Sequence, residues 1–73
     1  MDMADPVVKK LLVESEAFQR LWSRHQRYER QLAELDRFRY LSPEQELERK
    51  TIQKLKLAGK DEMAAMVRQA GAS

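Results

Sequence analysis

The chain has 73 residues with a net charge of +2; 36% of them are charged and 7% aromatic, with no cysteine, two glycines and two prolines. A chain this short buries only about 60% of the surface its unfolded form exposes, and without cysteine it has no disulfide, thiolate metal site or thiol nucleophile. Well-packed helices or self-association remain as the means of holding it together, and the charged, glycine-poor composition favours long helices over sheet.

The opening MDMADPVV carries acids where a secretory signal carries bases, and no long apolar core follows it. No apolar run approaches the ~18 residues of a membrane span. The expectation is a soluble protein of the cytoplasm with no membrane contact.

Asp5 followed by Pro6 reads as a helix start, a side-chain acceptor at the cap and then a ring pre-set for the first turn. No glycine or proline follows until Pro43, so the first helix is expected over about 6–38. Leu11, Phe18, His25 and Leu32 repeat every seven residues within it, with Val7, Leu21, Tyr28 and Leu35 interleaved. This is a seam of the coiled-coil kind, broken at Glu14 and flanked by Trp22. A turn over about 39–42 leads to SPEQ, where Ser42 can cap, Pro43 takes the first helical position and Gln45 can close a capping box. The second helix is then expected over about 43–70, ending at Gly71. Its facing stripe is Leu47, Ile52, Leu55, Met63 and Met66, with Gly59 inside it. The predicted fold is all-α, one domain: a two-helix antiparallel hairpin, coiled-coil-like, assembling into a dimer or higher helical bundle.

Gly59 costs roughly 1 kcal/mol relative to alanine inside a helix. Folding back around residues 41 and 42 pairs positions whose numbers sum to roughly 82, which sets Gly59 against Leu21, Trp22 and Ser23. Burying the indole in a notch over bare backbone could contribute on the order of 4 kcal/mol, enough to offset the helix penalty. The alternative is a tolerated weak point with no partner.

The segments ESEAFQRLWSRHQRYERQLAELD, SPEQELERKTIQKLKL and KDEM, in that order, resemble the YdcH-like family of small bacterial proteins. Phe18, Leu21, His25 and the run Lys60-Asp61-Glu62-Met63 carry the resemblance, which covers roughly residues 7–67. It implies a short helical hairpin and a bacterial cytoplasmic origin, with no established activity and no catalytic residues to transfer. Family members usually have a large apolar residue where this chain has Gly59.

Charge is unevenly spread. Arg20, Arg24, Arg27 and Arg30 face one acid, Glu29, in their segment, while Arg49, Lys50, Lys54, Lys56 and Lys60 fall in a stretch without acids. The hairpin register would join these into a basic belt between two acidic ends. Such a belt is either a solvated face that keeps the chain soluble or a seat for a polyanion.

Little here suggests catalysis. His25 is the only histidine, and metal sites generally need three or four ligands; a paired metal site or pH switch across a dimer axis is the alternative to a hydrogen-bonded core histidine. Asp61 and Glu62 are adjacent, so on a helix they point about 100° apart and cannot share a proton. Met63 and Met66 read as core, or alternatively as an adaptable binding face. No enzyme, metal or cofactor is expected. Leu12, Val13, Leu57, Ala64 and Val67 form a second apolar patch toward the chain ends, suited to self-association. The functional expectation is a non-enzymatic protein–protein interaction or oligomerisation module, with an unidentified protein partner besides its own copies. The alternative is a small accessory nucleic-acid binder using the basic belt.

Overall fold

The computed structural model describes residues 4–72. Among them every regular element is a helix: α1 (Pro6–Glu14), α2 (Glu16–Asp36) and α3 (Pro43–Ala72). Asp5 accepts a hydrogen bond from the Val7 amide at 2.8 Å, with Pro6 beside it in the first turn.

The helix expected over 6–38 is interrupted at Ser15. That residue is extended (φ −112°, ψ 112°) and ends α1 while capping α2, its Oγ accepting from the Phe18 amide at 3.1 Å. A serine hydroxyl offers that amide a local alternative to the helical carbonyl, and Glu14 supplies no apolar contact to reward a straight course. The interruption strands carbonyls at the end of α1. Gln19 reaches back across the gap, its Nε2 donating to the Leu12 carbonyl at 2.6 Å. Turned in this way, α1 packs against both other helices.

α2 ends at Asp36 with a tightened last turn, in which the Arg37 and Phe38 amides donate to the carbonyls of Glu34 and Leu35. The connection therefore covers residues 37–42, longer than the expected 39–42. The capping box forms as the sequence suggests. Ser42 Oγ accepts from the Gln45 amide at 3.2 Å, and Gln45 Oε1 accepts from the Ser42 amide at 2.9 Å. Gly71 does not stop α3, which continues to Ala72, and neither glycine adopts a positive φ.

Two ion pairs mark the course of α3 along α2. Asp36 Oδ1 lies 3.2 Å from Arg49 Nε, and Glu29 Oε1 lies 2.8 Å from Lys56 Nζ. Seven residues back along α2 match seven forward along α3, so the two helices run antiparallel. Paired numbers in these two ion pairs sum to 85, above the roughly 82 expected, so α3 lies shifted along α2 relative to the expected register. At 47 × 17 × 17 Å the molecule is about as long as α3 itself.

Two apolar clusters make up the core. Val8, Phe18 and Met63 are buried together, with Leu11, Leu12, Leu21, Trp22, Met66 and Val67 packed around them. Leu32, Leu35 and Ile52 form the other, joined by Tyr28 and by Leu41 of the connection. The break at Ser15 rotates α1 relative to the expected seam, so that Val8 rather than Val7 is sealed in. Two members of the expected α3 stripe are not core: Leu47 is 67% and Leu55 47% exposed. Ile52 and Met63, eleven residues or three turns apart, define the buried line; Leu47 points away from it, and Leu55 sits at its edge, lining the crevice between α2 and α3.

Candidate functional site

The register shift decides what Gly59 does. Trp22 stacks on Phe18 with ring centroids 6.2 Å apart and planes 27° from parallel, and packs on the cluster that contains Met63. Gly59 instead shares a crevice of about 130 Å³ between α2 and α3 with Leu21, His25, Tyr28, Lys56 and Glu62. A Cβ at Gly59 would meet nothing within 4 Å. The expected indole notch is therefore absent; the missing side chain leaves a gap between the helices.

His25 borders this gap. Its Nε2 lies 3.5 Å from Glu29 Oε1, the same oxygen that Lys56 Nζ approaches at 2.8 Å. Its buried Nδ1 has no hydrogen-bond partner. Burial pushes the His25 pKa below 6.5; Glu29 pulls it up and Lys56 pushes it further down. The hydrogen bond from Lys56 holds the Glu29 carboxyl below its ordinary 4.5.

A depressed histidine pKa has a definite sign for stability. The unfolded chain protonates first, so stability held above pH 6.5 is lost as the pH falls below that value. The urea midpoint is expected to fall between about pH 7.5 and pH 5.5, with most of the fall removed in His25→Gln. A wild-type midpoint indifferent to pH over that interval would contradict the assignment.

The expected basic belt is divided. Arg49 and Lys56 are engaged by Asp36 and Glu29 between the helices. Arg20, Arg24 and Arg27 line one open groove with Gln19 and Ser23, on α2 alone. Lys50 and Lys54 line another with Leu47, Thr51, Gln53 and Leu57, on α3 alone. Arg30 and Lys60 are exposed and line neither groove. Among the described residues no carboxylate lies within 4.0 Å of Arg20, Arg24, Arg27 or Arg30.

The apolar patch expected for self-association is also redistributed. Leu12 and Val67 pack into the chain's own core cluster, because α1 folds over this end of the molecule. Ala64 is half-buried, whereas Val13 is 79% and Leu57 59% exposed. The amphipathic groove on α3 does not show in the heptad pattern, which places Leu47 in the core stripe. Its signal was the spacing of Leu47, Lys50, Lys54 and Leu57, which repeats at helical intervals.

The molecule is thus a small all-helical protein with two chemically distinct grooves, one arginine-lined and one mixing leucine with lysine. No described helix is long and apolar enough to cross a membrane. The chain matches no family model, no curated protein and no solved structure.

Proposed function

We propose that this protein is a non-enzymatic interaction module whose docking surface is the α3 groove, and that its occupant is an acidic amphipathic helix of another protein. The observation that carries this is the exposure of Leu47 and Leu57 on either side of Lys50 and Lys54 in one groove. Two apolar anchors about 15 Å apart along a helix suit a partner helix whose own apolar side chains sit at matching turns. The lysines between them favour carboxylates on that helix. A second copy of the chain fits less well. Laid antiparallel over the same face, it would set Lys50 of one copy against Lys54 of the other. The resemblance to YdcH-like hairpins, which carries no established activity, agrees with a binding role.

A photo-crosslinking residue at Leu57, an exposed position, tests this in the native cell. The expected product is a crosslink to a protein segment with carboxylates and apolar residues at helical spacing, identified by mass spectrometry and weakened by Lys50→Glu/Lys54→Glu. Crosslinks confined to other copies of this chain, or none at all, would overturn the reading.

A further inference from the structure

The α2 groove is a separate surface, with different chemistry from the docking face on α3. Arg20, Arg24 and Arg27 are spaced four and three residues apart, which brings them to one side of the helix; the three line one groove with Gln19 and Ser23. Each guanidinium carries five donors in a planar fork suited to phosphate oxygens. Among the described residues none of the three has a carboxylate within 4.0 Å, although Arg49 and Lys56 both do. Lys50, Lys54 and Lys60 on α3 also lack a carboxylate within 4.0 Å among the described residues; what sets the three arginines apart is a groove of cations and neutral polar side chains, where the lysine groove contains leucines.

We infer that this groove binds the sugar–phosphate backbone of a nucleic-acid duplex, without reading its sequence. Arg20 and Arg27, seven residues apart, are separated by about 10 Å along the helix axis, roughly three base-pair steps at 3.4 Å each. The three arginines sit at intervals of about 6 and 4.5 Å along it, each wider than one step, so they can reach three separate phosphates, and the Ser23 hydroxyl adds a neutral donor. The lining contains no aromatic side chain on which an unpaired base would stack, which favours a duplex over a single strand. It contains no apolar side chain either, so a folded acidic protein or a lipid chain would find nothing there to bury.

Fluorescence anisotropy with a short labelled DNA duplex tests the site on the 73-residue chain. Three phosphate contacts predict a log–log salt slope near −2.7, so affinity should fall roughly 40-fold between about 50 and 200 mM salt. Arg24→Gln should reduce the slope by about one. The triple variant Arg20→Gln/Arg24→Gln/Arg27→Gln should abolish binding with its helix content intact, since glutamine matches arginine in helix propensity and the positions are exposed. Lys50→Gln/Lys54→Gln should leave binding within about twofold, because those lysines line the other groove. Absence of binding at low salt would overturn the inference. So would retention of binding in the triple arginine variant, loss in the lysine variant, or binding to phosphatidylserine vesicles but not to the duplex.

Discussion

Phe18→Ala should leave the chain largely unfolded at room temperature. Phe18 is fully buried, as is Met63, and Val8 is 1% exposed beside them. These three side chains come one from each helix, so the ring is where α1, α2 and α3 meet. Truncating a buried phenylalanine costs about 3–5 kcal/mol, and the offset stacking with Trp22 goes with it. A chain of this size holds on the order of 4–11 kcal/mol in total, with the lower part of that range suited to so small a core. Thermal melting followed by circular dichroism should show a collapse of the transition. Trp22 emission should shift to the red as its packing is lost. A melting temperature within a few degrees of wild type would mean that the three helices do not depend on this cluster.

Gly59→Ala should work in the other direction. The added methyl meets nothing within 4 Å, and the position is in the interior of α3. The helix-propensity gain of about 1 kcal/mol is therefore expected undiminished, raising the melting temperature by roughly 4–8 °C in a domain of this size. A notch filled by the indole would give the opposite result, since any side chain there would displace Trp22. A lower melting temperature for Gly59→Ala would restore that arrangement and remove the crevice beside His25.

The local rules of helix start were legible in the residues. Asp5-Pro6 and Ser42-Pro43-Glu44-Gln45 form the caps that their side chains and rings imply, because capping depends on groups within three or four residues of each other. The heptad spacing of Phe18, Leu32 and Leu35 likewise located buried positions on α2. Ser15 shows where local reading stops. A serine inside a helical pattern can point to solvent or cap a new helix; what favours the cap is the burial that α1 gains by turning onto the other two helices.

Composition, capping residues and apolar period by themselves determined that this chain is helical and roughly where its helices begin, since each rests on contacts along one stretch of backbone. Tertiary structure decided the register: the ion pairs between α2 and α3 join residues whose numbers sum to 85 instead of roughly 82, which displaces the cross-helix pairs. That shift sets Gly59 beside His25 instead of Trp22. It also places Glu29 against Lys56 and Asp36 against Arg49, dividing an apparent belt of charge into ion pairs that bridge the helices and cations left unpaired on the outer faces of α2 and α3. Which cations remain available to a ligand is a property of distances across the fold, and no spacing along the chain encodes it.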